Sequence, residues 1–515
     1  MVGLHSLTTL FYLCESENMH YAATLLSDVI VIELNKDKIN MKKALIFATM
    51  SLLAISAWAK VRPAAIISDN MLLQREAQVA LWGEASPGSR VQISASWSKK
   101  KITVDSDAEG RWSARLHTPE AGGPYSITFN DGEVTTVNNV LIGEVWLCMG
   151  QSNMEMPISG WDSQPVDGSV EVITGANPDV AIRHCYVKRS KSFTEERDCE
   201  ATWTECTPGD VAGWSAVAYF FARKLHDALR VPVGVVNASW GGTAIEGWMK
   251  KELLERDFAG EIDFSSYSTG VWPEENNHTA PASLYNAMLH PIVPFTLKGF
   301  VWYQGESNRS RYEQYKRLQP AFVAMLRQEW GCDSLPFYFT QIAPYKYDNA
   351  DAPLSGYMMW AQAQTLGLIP RSDMAVTHDC GTRDGIHPSD KATVGSRLAY
   401  LALAHDYGFS MIDVSAPVAL LFSFVNGEAV VTFKVGNQGV MPLDAEIEGF
   451  EVAGADRVFH PAKGIVRYDD KMRVHVWSQQ VPEPVAVRYG MKNWSQATLY
   501  NCYGTPVSPF RSDDW

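Results

Sequence analysis

Four short polar segments of the chain carry the residue types that nucleophilic catalysis needs. They read GQSNM with Ser152, WGGT with Gly242, QGESN with Gln304, and DGIHP with Asp384 and His387. A serine hydroxyl becomes a strong nucleophile when a histidine takes its proton, and a carboxylate can fix the tautomer of that histidine. The pattern therefore predicts Ser152 as nucleophile, His387 as base and Asp384 as the residue that orients His387.

The same segments supply donors for a negatively charged intermediate. Acyl transfer passes through a tetrahedral oxyanion, which preorganised N–H groups stabilise. We predict three donors: the backbone N–H groups of Ser152 and Gly242, and the side-chain amide of Gln304. Glycine suits the second position because it lets the backbone approach a substrate closely. Other polar residues of these segments are expected to bind substrate or to support the site: Gln151, Asn153, Glu306 and Asn308.

No pattern typical of a metal site is present in the sequence. The chain lacks H-E-x-x-H, and its eight cysteines include no C-x-x-C pair. We therefore expect neither a metal nor an organic cofactor. Cys199 and Cys206 flank a six-residue segment, and a disulfide could close this small loop if the protein is exported.

Length and charge limit the classes of partner. At 515 residues the chain is long enough for two or three domains, and its formal net charge of −14 argues against nucleic acid as a main partner. Residues 41–59 read MKKALIFATMSLLAISAWA, with a basic start, a short apolar run and a small-x-small end. This is the pattern of a signal peptide, too short to span a membrane comfortably. We predict a periplasmic or secreted protein that begins at Lys60, with residues 1–40 as an upstream mis-extension.

Three regions follow the predicted signal peptide. Residues 60–138 contain short alternating strands separated by turn signals, which predict an N-terminal β domain. In residues 139–412, apolar strands alternate with helices, which predicts a parallel sheet covered on both faces. Its predicted helices span 214–229, 311–330, 356–368 and 390–407. Strand patterns return in residues 413–515, the C-terminal β region.

The elements of the middle region explain how the polar segments meet. Each of the four segments follows a predicted buried strand of residues 139–412, closely or directly. Ligands of open parallel sheets bind outside the carboxyl ends of the strands. The sequence therefore predicts one site at this edge, with the serine at the tip of the first strand.

The segments GQSNM, WGGT, WYQGESN and DGIHP resemble the conserved blocks of the SGNH hydrolase superfamily, specifically its sialate O-acetylesterase family. The resemblance implies a flavodoxin-like, three-layer catalytic domain with β-sandwich-like regions on both sides. It also implies the roles given above for Ser152, Asp384, His387, Gly242 and Gln304. Typical SGNH members have an Asn in a G-x-N-D third block, where this chain has QGESN, so the donor is either Gln304 or Asn308.

The same resemblance implies a secreted carboxylic ester hydrolase. It would remove O-acetyl groups from sialic acids through an acetyl-serine intermediate, with an O-acetylated carbohydrate as partner. Two alternatives remain open from the sequence. One is an esterase acting on acetyl xylan or another glycan, and the other is a carbohydrate-binding protein without catalytic activity.

Overall fold

The computed structural model describes residues 60–273, 278 and 280–515. The predicted extension 1–40 and signal peptide 41–59 lie outside these residues. Strands are numbered β1–β23 and helices α1–α9 in chain order. No helix within the described residues has the length and apolar character needed to cross a membrane.

The N-terminal region consists of short strands, and residues 111–117 show the strict alternation of buried and exposed side chains expected of a sheet with one covered face. The strands β1, β3 and β6 form a three-stranded antiparallel sheet, while β4 pairs with β5 and β7. The bounds are β1 Arg62–Pro63, β2 Leu72–Gln74, β3 Gln78–Glu84, β4 Arg90–Ala95, β5 Lys101–Asp105, β6 Arg111–His117 and β7 Gly122–Asn130.

One long strand, β8 (Val134–Gly150), belongs to both the N-terminal region and the central sheet. Its first part pairs antiparallel with β7, up to Ile142. Its last part pairs in parallel with central strands, and every residue from Val140 to Gly150 is buried. The predicted domain boundary between residues 138 and 139 therefore falls inside an unbroken strand.

The central sheet has the order β10-β9-β11-β8-β12-β13-β14. All neighbours are parallel except β10, which is antiparallel to β9 at one edge. This confirms a mixed α/β architecture built on a largely parallel sheet. The bounds are β9 Ile182–Val187, β10 Ala201–Glu205, β11 Val233–Ser239, β12 Gly299–Tyr303, β13 Phe337–Thr340 and β14 Ser372–Ala375.

Helices cover both faces of this sheet. The helices are α1 Ser152–Glu155, α2 Ser169–Thr174, α3 Pro208–Val211, α4 Ala216–Leu229, α5 Lys251–Asp257, α6 Ser265–Thr269, α7 Tyr312–Glu329, α8 Leu354–Thr365 and α9 Lys391–Asp406. Trp146 and Cys148 of β8 share a hydrophobic cluster with α4 and α9. Leu147 and Met149, one residue further along, pack with α7 and α8 on the other face. The four predicted helices are present, with ends shifted by up to three residues.

The C-terminal region is also made of strands. Seven of them form an antiparallel sheet of order β15-β16-β20-β19-β18-β21-β23, and β17 pairs with β22. Gln341, directly after β13, donates a hydrogen bond of 2.7 Å to Ser508 of this region. The bounds are β15 Val418–Val425, β16 Glu428–Lys434, β17 Val440–Met441, β18 Glu446–Ala453, β19 Phe459–Ile465, β20 Arg473–Trp477, β21 Ala486–Tyr489, β22 Tyr500–Asn501 and β23 Phe510–Arg511.

The disulfide considered between Cys199 and Cys206 is not formed, and both thiols are free. The five residues of β10 lie between them as an extended strand. Such a strand spans about 16 Å, whereas a disulfide needs Cα atoms within about 7 Å of each other.

Candidate active site

The loop after β8 contacts two other loops of the predicted site through side-chain amides. Gln151 accepts hydrogen bonds at Oε1 from the backbone N–H groups of Gly305 and Ser307, both at 3.3 Å. Asn153 donates from Nδ2 to the carbonyl oxygen of Ile386, in the DGIHP segment, at 3.2 Å. Both amide side chains are buried. The two residues that flank Ser152 therefore hold neighbouring loops rather than point into solvent.

The WGGT loop also packs directly against Ser152. A Cβ atom added at Gly241 would lie only 3.2 Å from the Cβ of Ser152. At Gly150, φ is +147°, and an added Cβ would lie 2.1 Å from the carbonyl oxygen of Tyr303. Glycine is required at Gly150, where the obstacle is backbone, and Gly241 leaves little room for a side chain beside Ser152. The predicted convergence of the four segments on the carboxyl edge of the sheet is thus observed.

Ser152 is the first residue of α1, and its N-cap is Gln151. A serine that merely capped this helix would occupy the position of Gln151. Among the described residues, the hydroxyl of Ser152 has no hydrogen-bond partner, and the side chain is half-buried. The backbone N–H groups of Ser152 and Gly242 likewise donate to no other described residue. One hydroxyl and two backbone N–H groups are therefore uncommitted in one place.

His387 is half-buried, with its ring edge-on to Trp161 at a centroid distance of 5.0 Å. Its Nδ1 donates a hydrogen bond to Oε1 of Gln164, because an amide oxygen can only accept. Burial, assisted by the positive charge of Lys391, lowers the pKa of His387 to about 4. The imidazole is therefore neutral at neutral pH, with Nε2 as its basic nitrogen.

Asp384 does not take the place predicted for it. Its carboxylate is exposed and pairs with the ammonium of Lys346. That hydrogen bond holds the pKa of Asp384 below its usual range. No hydrogen bond between Asp384 and His387 is formed in the described part of the chain, and Nδ1 of His387 bonds to Gln164 instead. The cause is a tight turn in which the N–H of Gly385 bonds to the carbonyl of Thr382 at 3.2 Å, and Asp384 lies exposed within it.

Gln304 and Asn308 are both fully buried, and both amide groups are used within the protein. Nε2 of Gln304 donates to the carbonyl of Thr243 at 3.1 Å and to Oδ1 of Asn308 at 2.7 Å. Asn308 accepts the N–H of Ile245 at 3.0 Å and donates to Glu246 at 2.8 Å. These bonds fix the segment that follows WGGT. Both N–H groups of the Gln304 amide are used, and the Asn308 amide donates one of its two to Glu246, so the choice between Gln304 and Asn308 as oxyanion donor stays open.

Two charged residues hold the WGGT loop from the other side. Glu155 of α1 accepts the N–H of Gly241 at 2.6 Å and a bond of 2.9 Å from Arg189. Burial raises the pKa of Glu155. The guanidinium of Arg189 lies 5.7 Å from the centre of the Trp240 ring and remains half-exposed. A cation therefore stands at the rim of the site.

A buried polar cluster lies beneath these loops. It consists of the buried Asn153 and Lys391 together with Glu306, which is half-buried with its Oε2 atom enclosed. Asn153 donates to Oε1 of Glu306 at 2.7 Å and accepts a bond of 2.6 Å from the ammonium of Lys391. Asn153 and Glu306 were expected to bind substrate or support the site, and their contacts place them in support.

Comparisons with known proteins show which esterases this chain resembles. Residues 142–404 match the family model described as carbohydrate esterase, sialic acid-specific acetylesterase. The chain is 31% identical over 418 residues to the sialate O-acetylesterase of Mus musculus, covering 70% of this chain and 76% of that protein. The human sialate O-acetylesterase is 30% identical over 398 residues, covering 70% and 74%.

A solved structure is similar over most of the chain. It is a carbohydrate acetylesterase from Xanthomonas citri, 35% identical, with a TM-score of 0.79 and coverage of 88% of this chain and 100% of that one. The chain belongs to the sialic acid-specific acetylesterase family of carbohydrate esterases. The expected family and the expected carboxylic ester hydrolase activity are thereby confirmed.

Three residues of this esterase site escaped the sequence analysis. Gln164 lies in an irregular loop, and nothing in a single sequence marks a glutamine there as a histidine partner. Glu155 falls only three residues after Ser152, so its contact with Gly241 depends on how the loops pack. Lys391 comes three residues after the DGIHP segment, but lysine is so often exposed that its burial is unexpected from sequence.

Proposed function

We propose that this esterase removes O-acetyl groups from sialic acids by transferring the acetyl group to Ser152. The observation that carries the proposal is the uncommitted hydroxyl of Ser152, placed where the WGGT loop and the loop of a neutral His387 converge. The named relatives act on sialate O-acetyl esters, which supports the same substrate class here.

In the proposed reaction His387 is the general base. Nε2 takes the proton of Ser152 as Oγ attacks the acetyl carbon, and a tetrahedral oxyanion forms. The oxyanion collapses, the C–O bond to the sugar breaks, and the leaving sugar oxygen takes the proton from His387. A water molecule, deprotonated by the same nitrogen, then attacks the acetyl-serine, and acetate leaves with Ser152 restored.

The developing negative charge is stabilised by the backbone N–H groups of Ser152 and Gly242. Both donors are supported by having no competing described acceptor. Gln304 is proposed to act mainly by holding the residues after Gly242, since its amide already donates to the carbonyl of Thr243. It becomes a third oxyanion donor only if a substrate displaces that bond.

Gln164 is the proposed orienter of His387. It accepts the Nδ1 proton and so leaves Nε2 as the base. An amide fixes the tautomer as a carboxylate does, but it carries no charge to stabilise the imidazolium. Asp384 contributes instead to the shape of the loop through its pair with Lys346.

Arg189 favours an acidic sugar over a neutral glycan such as xylan. Its guanidinium stands beside Trp240 and contacts Glu155, the residue that holds Gly241 near Ser152. A guanidinium is well suited to the carboxylate of a sialic acid. Stacking on an aromatic ring would leave the outer N–H groups available to that carboxylate.

We also assign the central domain to the SGNH type with three layers. Leaving out β9 and β10, the parallel strands follow the order β11-β8-β12-β13-β14, which is 2-1-3-4-5 in chain order, as in flavodoxin-like folds. Ser152 and Gln304 follow the two strands on either side of the point where that order reverses. Ligands of such sheets bind at this point.

The terminal β regions are proposed to be β-sandwich-like. In the N-terminal region, Trp112 of β6 and Phe129 of β7 belong to different sheets, yet their rings are 5.4 Å apart in one core. Packing between two sheets is what defines a sandwich. The pattern of residues 41–59 supports export to the periplasm or the medium, where acetylated glycans are accessible.

The test is Ser152→Ala, with Ser159→Ala in the next loop as the matched control. Acetyl release from O-acetylated sialic acid should fall by about 10³-fold or more, because no other group can form the acyl-enzyme. Stability should change by less than about 1 kcal/mol, because Ser152 does not cap α1. A fluorophosphonate should label wild-type Ser152. Labelling of Ser239 or Ser307, or an active Ser152→Ala variant, would refute the proposal.

A further inference from the structure

Lys391 is a buried cation in an unfavourable place. Only 1% of the residue is exposed, and it is the first residue of α9. Burying an ammonium is costly, and a positive charge at a helix N-terminus opposes the helix dipole. Both effects act against stability, so the position calls for another explanation.

The contacts of Lys391 connect the loop that contains Ser152 with the loop that contains His387. Its ammonium donates to Oδ1 of Asn153 at 2.6 Å. The amide nitrogen of Asn153 donates to Oε1 of Glu306 and to the carbonyl of Ile386. The side chain of Asn153 is thereby fully bonded on both ends. Because Asn153 follows the nucleophile and Ile386 precedes His387 in the chain, this single side chain joins the two catalytic loops.

The carboxyl group of Glu306 is the acidic partner of Lys391, and Asn153 is bonded to both of them. Its Oε1 is bonded to Asn153, while Oε2 is buried with no partner among the described residues. Burial raises the pKa of Glu306 and lowers the pKa of Lys391 to about 7. Asp390 and the thiol of Cys380 are the other ionisable groups near the ammonium.

We propose that Lys391 is a positioning residue for ester hydrolysis, which holds the His387 loop against the Ser152 turn by its hydrogen bond to Asn153. This inference rests on the roles proposed above for Ser152 and His387. Lys391 itself does not touch the reacting atoms. Its effect reaches the base through the fixed loop and through its charge.

The charge of Lys391 gives the proposal a measurable signature. The side chains that contact the ring of His387 are the neutral Gln164 and Trp161, and Asp384 is turned away to Lys346. Lys391 is thus the ionised group that acts on the ring, and it disfavours the imidazolium. Only neutral His387 can act as base, so kcat/KM falls as pH falls through its pKa. Removing the charge raises that pKa and moves the fall to higher pH.

The experiment compares Lys391→Met with Lys391→Arg, which keeps the charge. Lys463→Met, at an exposed lysine of the C-terminal region, is the control. With a chromogenic acetyl ester, Lys391→Met should lower kcat about tenfold or more with little change in KM, and shift the acid limb of kcat/KM upward by about one pH unit. Lys391→Arg should keep the position of that limb. If Lys391→Met does not fold, Lys391→Gln replaces it.

The two proposals fail in different ways. If wild-type Ser152 is not labelled by a fluorophosphonate, the proposed function fails. If Ser152 is labelled but the neutral variant at 391 keeps the wild-type pH profile and kcat, only the role of Lys391 is refuted. A lowered kcat with an unchanged acid limb in both Lys391→Met and Lys391→Arg would also refute it, because that result reports packing alone.

Discussion

The histidine that we propose as the base is held by an amide oxygen. His387 donates its Nδ1 proton to Gln164 and lies edge-on to Trp161. Gln164 sets the direction of the ring without adding a negative charge to a pocket where burial already favours the neutral imidazole. The imidazole of His387 therefore stays unprotonated down to mildly acidic pH.

Gln164→Ala and Asp384→Asn should therefore differ in effect. Loss of Gln164 frees the ring of His387 to rotate or change tautomer, and we expect kcat to fall by about 10²-fold or more. Asp384→Asn removes a solvent-exposed pair with Lys346 and should change kcat by less than about threefold. Steady-state kinetics with one acetyl ester would measure both. The reverse order of effects would restore Asp384 as the orienter.

Arg189→Ala should separate acidic from neutral substrates. If Arg189 meets the sialic acid carboxylate, KM for an O-acetylated sialic acid should rise by about tenfold or more, the loss of one charge-assisted contact. KM for a small neutral acetyl ester should change little. Arg383→Ala, at an exposed arginine in the Asp384 turn, serves as control. An equal effect of Arg189→Ala on both substrates would assign Arg189 to holding Glu155 only.

At the scale of elements, the site depends on how closely β8 and β12 end together. Gly150 lets the carbonyl of Tyr303 approach, and the N–H of Gln151 then bonds to that carbonyl at 3.0 Å. This is the step that turns the chain out of the sheet and presents Ser152. There is no room for a side chain at Gly150, because the atom it would meet is the backbone carbonyl oxygen of Tyr303, which cannot rotate away as a side chain could.

Gly150→Ala should damage fold and activity together. The added Cβ would meet the carbonyl oxygen of Tyr303 at 2.1 Å, so β8 and β12 must separate at their ends. We expect a loss of about 3 kcal/mol or more in the free energy of unfolding, measured by urea titration, with loss of esterase activity. Gly209→Ala, where nothing crowds the added atom, is the control. Wild-type stability in Gly150→Ala would contradict the proposed close approach.

Sequence reasoning succeeded where the physical signal is local. Runs such as residues 140–150 are apolar because both faces of a central strand are buried, so the strand and the position of Ser152 just after its end were predictable. The meeting of the four polar segments could then be predicted, because ligands of parallel sheets bind at the carboxyl ends of the strands. The partner of His387 was not predictable, because Gln164 and His387 are far apart in sequence and the four-residue turn from Thr382 to Gly385 decides where Asp384 lies.

The net charge of the whole molecule is negative, whereas positively charged side chains lie near the candidate site. The chain carries a net charge of −14, yet the cations near the site, Arg189 and Lys391, are placed by specific hydrogen bonds. A negative surface does not attract an acidic sugar from a distance. Local cations must therefore compensate for the overall repulsion once the substrate has arrived.

Export is the prediction that belongs to the whole chain. The pattern of residues 41–59 leads us to expect cleavage after Ala59, so N-terminal sequencing of exported protein should begin at Lys60. Ala59→Tyr should block cleavage, because signal peptidase sites require a small residue there. Mature protein that retains residues 1–40 would show that the upstream segment is part of the protein.

The unbroken course of β8 restricts how enzymes of this architecture can exchange parts. A crossover between Asn138 and Asn139 would cut a strand whose earlier residues pair with β7 and whose later residues pair with β11 and β12. Both registers would have to match in any chimaera joined there. Exchange of the N-terminal strands at this point also disturbs the strand that ends beside Ser152, so the N-terminal region and the Ser152 turn are not independent modules.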